Sequence, residues 1–219
     1  GQQISAHRQA LMRARFITLE GLDGAGKTTQ LHWISEFLKA RSLPLCVTRE
    51  PGGTPLGETL REILLNSSQP LHAETETLLM FAARREHIDK VIAPALERGT
   101  WVLCDRFTDA SFAYQAGGSA VAWEKVEMLE TWVQGALQPD LTLYLDVSPE
   151  VGRTRAAVIK TPDRYEQEQH DFHERTRAAY LRRAREHPER IRIIDANGSA
   201  AQVQSALREI LSAWCEAMA

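Results

Sequence analysis

Apolar runs rich in β-branched residues recur at residues 15–20, 45–48, 101–104, 141–147 and 191–194. Runs this short, bounded by turn-forming residues, predict strands. In most of them the apolar residues are nearly continuous rather than alternating, which fits strands buried on both faces of a parallel sheet. The intervening stretches 27–40, 56–65, 73–97, 123–137, 165–186 and 200–219 carry helical patterning. The resulting order, β-α-β-α-α-β-α-β-α-β-α, predicts a doubly wound α/β fold with three layers, a five-stranded parallel sheet between helices, and ligands at the carboxyl ends of the strands.

Composition narrows this picture. The chain has 219 residues, 43% hydrophobic and 25% charged, a normal balance for a soluble domain. No Pro/Gly/Ser-rich linker divides it, so a single domain over residues 15–219 is expected. Residues 1–14 are polar and aperiodic and are expected to lie outside the fold, as a disordered arm or a cloning remnant. A net charge of -3 and a pI near 6.2 supply no field that would favour nucleic acid or anionic membrane as a partner. No apolar run reaches the length of a membrane span. Cys46, Cys104 and Cys215 are odd in number and have no CxxC spacing, which argues against a disulfide framework or zinc site and for the cytoplasm.

The most informative segment joins the first strand to the first helix. Gly21-Leu22-Asp23-Gly24-Ala25-Gly26-Lys27-Thr28 matches GxxxxGK[ST] in the strand-to-helix context that the chemistry requires. The glycines let backbone N–H groups converge on phosphate oxygens at a helix N-terminus. The loop and the following Thr29 are thus expected to hold ATP. Lys27 would reach the β- and γ-phosphates, and Thr28 and Asp105 would hold Mg2+. A steric turn has no use for a lysine directly after its last glycine.

The motif alone does not separate a kinase from an ATPase or a nucleotide switch. No NKxD-type guanine-reading motif follows, and the third strand ends in Asp105-Arg106-Phe107, with arginine where a water-activating carboxylate would be wanted. An arginine suits an acceptor that is itself a phosphate, because a nucleoside monophosphate is already anionic near neutral pH and needs alignment rather than a general base. Arg49 and Arg106, both at strand carboxyl ends, are the expected clamps.

The stretches FITLEGLDGAGKTTQ (16–30), TREPGGTPLGE (48–58), LLMFAARREHI (78–88), CDRFTDASFAYQAGG (104–118) and DRYEQE (163–168) together resemble the bacterial-type thymidylate kinase family, in order and at compatible spacings. The resemblance implies a P-loop fold with a lid, transfer of the γ-phosphoryl group of ATP to dTMP for dTTP synthesis, and a homodimer built through helices within 73–96 or 123–137. It implies that Phe81 stacks on thymine while Arg85, one turn later, bonds a base carbonyl, a pairing that i, i+4 spacing permits. On nothing but the residues, Phe81 reads equally as core. Asp23 would contact the 3′-hydroxyl and organise the phosphates, and Ser111, Tyr114 and Gln115 would read the base edge and exclude a 2′-hydroxyl. The lid is expected over about 153–165, where Arg155 and then Arg164 would neutralise the transferring phosphoryl group. Another nucleoside monophosphate or deoxynucleoside kinase is the alternative within the class. A P-loop ATPase or switch is the alternative outside it. His170 and His173 could ligate metal at their spacing but lack a third ligand, and are expected on a solvated helix face.

Overall fold

A computed structural model describes residues 13–157 and 166–218. Five parallel strands, β1 (Phe16–Gly21), β2 (Leu45–Arg49), β3 (Trp101–Asp105), β4 (Leu141–Asp146) and β5 (Ile191–Asp195), form one sheet in the order β2-β3-β1-β4-β5. β1, β3 and β4 are buried almost throughout, whereas the edge strands β2 and β5 are only partly so.

Alternation along the strands explains why the apolar runs are continuous. Ile17, Leu19, Leu103 and Leu143 face one core layer with Ile34, Leu38, Val203, Leu207 and Leu211. Phe16, Val102 and Cys104 face the other with Phe81, Ile88, Ile92, Val126 and Val133. Ala14, near the start of the described residues, is already buried against the first of these layers.

The helices are α1 (Lys27–Lys39), α2 (Pro55–Asn66), α3 (Ala73–His87), α4 (Ala93–Glu97), α5 (Thr108–Ser111), α6 (Trp123–Gln134), α7 (Pro149–Ala157), α8 (Glu166–Glu186) and α9 (Ala200–Ala217). Two features depart from the expected pattern. The single helix predicted over 73–97 is interrupted by a π-helical turn, Ile88–Ile92, two residues ahead of Pro94, which has no N–H with which to continue the α ladder. A second π-helical segment, Phe112–Gly118, continues α5, and α7 fills part of the stretch between β4 and α8. The predicted order includes neither α5 nor α7, because both are too short to show a hydrophobic period.

Candidate active site

Gly26 caps α1 in the left-handed region at φ 82° and contributes no side-chain cap, so the first-turn N–H groups are left for an anion. Gly24, at φ 86°, lets the loop pass against α7, since a β-carbon there would lie 2.5 Å from the Gly152 carbonyl oxygen. A cavity of about 240 Å³ is lined by Leu22, Asp23, Gly24, Gly26, Lys27, Thr28 and Thr29. Of the expected donor-binding residues, Gly21 and Ala25 lie behind this surface in the packed turn. Lys27 Nζ donates to Asp105 Oδ1 at 2.7 Å, so the loop lysine meets the acidic end of β3.

A second cavity of about 220 Å³ adjoins the first and shares Asp23 with it; its wall includes Glu50, Arg61, Glu76, Met80, Arg84, Arg106, Ser111, Tyr114 and Gln115. Arg106 stands where the two cavities meet. Its NH2 group donates to Gly21 O at 3.2 Å, Tyr114 Oη at 3.0 Å and Asp23 Oδ1 at 3.5 Å. Its buried Nε has no partner among the described residues, a free donor suited to an anion. The Arg106 backbone is left-handed, at φ 67°, a conformation that in a non-glycine residue costs on the order of 1–3 kcal/mol and marks functional positions. Its neighbours hold it there: Arg106 N donates to Leu19 O at 2.9 Å, the Cys104 thiol to Arg106 O, and Phe107 N to Glu20 Oε1 at 2.8 Å.

Glu20 is wholly buried and also accepts the Tyr180 hydroxyl at 2.6 Å. Burial, reinforced by the charge of Asp109, pushes its carboxyl up from 4.5 to about 8, against the hydrogen bonds from Tyr180 and Phe107. Between these two pH values the folded chain holds a proton that the unfolded chain has released, so raising the pH across that window withdraws stability. Glu20→Gln, which reproduces the protonated group's bonding, is therefore expected to gain in melting temperature relative to wild type as pH rises from 4.5 to about 8 and to hold that gain above it. A difference that stays constant across the window would mean that Glu20 is ionised in the fold.

Four expected site residues lie elsewhere in the structure than the sequence suggested. Phe81 is not among the residues lining this second cavity. It is buried in the core, with the Arg84 guanidinium 4.7 Å above its ring. Arg85 points away, donating to Val133 O at 2.7 Å and lying near Asp89. The residues facing the cavity are instead Met80 and Arg84, again an i, i+4 pair but set back by one position, which on a helix is a rotation of about 100°. Arg49 is exposed and engaged by Glu58 at 2.8 Å; the cation from this region that lines the cavity is Arg61 of α2, which donates to Pro51 O at 2.8 Å. Burial, and then the charge of Arg49, lower the Arg61 pKa, a penalty that an anionic ligand would offset. Arg155 gives its guanidinium to four carbonyls, Gly24, Ala196, Asn197 and Gly198, at 2.7–3.2 Å, and so braces the P-loop against the turn after β5 rather than facing a phosphoryl group. Arg164 lies outside the described residues, as does most of the expected lid.

Ser111 accepts from Arg84 at 3.0 Å, and Gln115 donates to Glu76 at 3.2 Å. The π-helical turn after α5 presents Tyr114 and Gln115 to the cavity. Arg61, Met80 and Glu76 carried no signal of their own in the sequence, since each belongs to an ordinary helical pattern. His170 lies near Glu174 at 3.3 Å, and no group of three or more metal-binding side chains occurs among the described residues.

The sequence model of the thymidylate kinase family matches residues 19–207. The chain belongs to this family. Thymidylate kinases similar to it include that of Nitrosospira multiformis, 62% identical over 92% of this chain and 98% of the relative. That of Cupriavidus taiwanensis is 57% identical over 92% and 99%. In the crystal structure of thymidylate kinase from Ehrlichia chaffeensis, 33% identical, the fold superposes with a TM-score of 0.74 over 91% of this chain and 98% of that one.

Proposed function

We propose that the chain transfers the γ-phosphoryl group of ATP to dTMP, yielding ADP and dTDP. The observation that carries this reading is the pair of adjoining cavities: a phosphate-binding loop adjoins an arginine-walled cavity, and Arg106 and Asp23 stand at the junction. The loop cavity would take the triphosphate. The second would take the acceptor, with Arg61 and Arg106 on its phosphate and Arg84, Ser111, Gln115 and Met80 around its base.

Magnesium, when bound, would neutralise charge on the donor phosphates. Thr28 and Asp105 fit it, a hydroxyl and a carboxylate beside a phosphate site, which suits an ion that keeps few protein ligands. Lys27 would exchange its bond to Asp105 for the phosphate oxygens. Arg106 aligns and neutralises the acceptor phosphate, so the rate gain rests on positioning and electrostatics, with no proton-abstracting base required. The proposed site of action is the cytoplasm. No helix among the described residues is long and apolar enough to cross a membrane.

The deciding assay offers dTMP, dUMP, UMP and AMP as acceptors with ATP and magnesium. Diphosphate formation is expected to be fastest with dTMP, and ATP consumption without an acceptor should be slow. Preference for AMP or UMP would overturn the acceptor assignment, and ATP turnover indifferent to dTMP would favour an ATPase.

We further propose a homodimer through α3 and α6. Leu78, Met128 and Trp132, exposed by 56%, 71% and 81%, line one apolar groove between these helices, and exposed apolar area of this kind marks association surfaces. Trp132→Glu is expected to sediment as a monomer where the wild type sediments as a dimer.

A further inference from the structure

Behind the acceptor cavity runs a chain of buried side chains that the phosphoryl-transfer chemistry does not itself use. Arg84 Nε donates to Glu50 Oε1 at 2.6 Å. The other oxygen of that carboxylate, Oε2, lies 2.7 Å from His87 Nδ1, and His87 Nε2 lies 2.7 Å from the Thr48 hydroxyl. Forward of Arg84 the chain continues to Ser111 at 3.0 Å and to the Phe107 carbonyl at 3.3 Å. His87 is fully buried and does not line the cavity.

A carboxylate has no proton to give, so Nδ1 carries the proton in the bond to Glu50. In the neutral ring, Nε2 then accepts from Thr48. Each link fixes the next. Thr48 sets the ring plane, the ring sets the carboxylate, and the carboxylate takes the Nε edge of Arg84. With Ser111 and Phe107 taking two more N–H groups, three of the five guanidinium donors are committed, and the other two belong to a side chain that lines the cavity. The loop carrying Glu50 is built around the ring. Gly53, at φ 82°, has no room for a side chain, because a β-carbon would fall 2.4 Å from His87 Cδ2 and Nε2.

We infer that His87 is a positioning residue for the acceptor: through Glu50 it holds Arg84 in the one orientation that presents free N–H groups to the nucleotide base, without touching the nucleotide itself. This inference rests on the acceptor assignment made above. It predicts an effect on acceptor binding that leaves the donor side untouched, since no link of the chain reaches the P-loop.

The test separates the two ring nitrogens. In His87→Asn the amide nitrogen stands where Nδ1 stood and can still donate to Glu50. In His87→Gln the amide lies one carbon further out, at the Nε2 position, and leaves Glu50 Oε2 without its donor. Glutamine is also the closer match to histidine in volume, so a role in packing alone predicts that Asn is the worse replacement, and positioning predicts the reverse.

KM for dTMP is expected to rise about tenfold in His87→Gln and to stay within about threefold in His87→Asn, with KM for ATP unchanged in both. Thr48→Val, which leaves the ring in place but frees it to turn, is expected to raise KM for dTMP about threefold and supplies the answer should a ring variant not fold. Parallel rises in both KM values, the reverse order of Asn and Gln, or an unchanged KM for dTMP in Thr48→Val would each overturn the inference. The wild-type reaction keeps the two readings apart: an enzyme that does not phosphorylate dTMP refutes the acceptor assignment, whereas one that does, with ring variants that show none of this ordering, refutes only the role of His87.

Discussion

Arg106→Ala is expected to lower kcat/KM for dTMP by about a hundredfold or more, the range seen when a preorganised donor aimed at developing charge is removed. The guanidinium stands between the two cavities, bonded to Gly21 O and Tyr114 and within reach of Asp23, with its buried Nε–H unengaged. Arg106→Lys is not expected to restore activity, because an ammonium cannot reproduce planar bidentate contact with a phosphate. Steady-state kinetics with each substrate varied in turn would test both. If Arg106→Ala retained activity within a few fold of wild type, the clamp role would be wrong.

Asp109→Ala is expected to destabilise the fold by about 3–5 kcal/mol, the loss typical of breaking a buried ion pair from one side. Asp109 accepts Arg183 Nε at 2.8 Å and both terminal nitrogens of Arg190 at 2.8 and 2.9 Å, and all three side chains are buried. Arg190 also donates to Thr142 at 2.9 Å, and Arg183 to Glu130 at 2.8 Å. The cluster therefore ties α5, β4, α6 and α8 together. Burial alone would raise the Asp109 pKa, but Arg190 and Arg183 hold it well below the usual carboxylate range. A depressed carboxylate contributes stability that is present above its ordinary value of 3.8 and fades as pH falls through the lowered one. Urea titrations at neutral pH would check the magnitude. A shift of under about 1 kcal/mol would show that the two arginines find other partners.

The fold was legible because both of its periodicities are written in apolar residues. Continuous runs mark strands covered on two faces, and the P-loop could be placed because glycine spacing, the lysine and the strand-to-helix context coincide. The acceptor site was less legible, for a geometric reason. Choosing between Arg84 and Arg85, or between Met80 and Phe81, requires knowing how α3 is rotated about its axis, and a helix with apolar residues around much of its circumference does not announce this. Arg49 and Arg61 posed the same problem between strand and helix. Both are arginines close to the expected phosphate, and only the tertiary bonds to Glu58 and Pro51 decide which one faces the cavity. The chain through Glu50 and His87 joins residues 37 apart in sequence, a pairing that no local pattern carries.

Asp23 borders both the phosphate-loop cavity and the arginine-walled one, the places proposed for donor and acceptor. A single two-headed molecule, with a nucleoside at each end, would have to thread its phosphate linker past that carboxylate. Affinity in a series of such compounds would then depend on linker length, with shorter linkers unable to seat both heads and longer ones forced to buckle against Asp23.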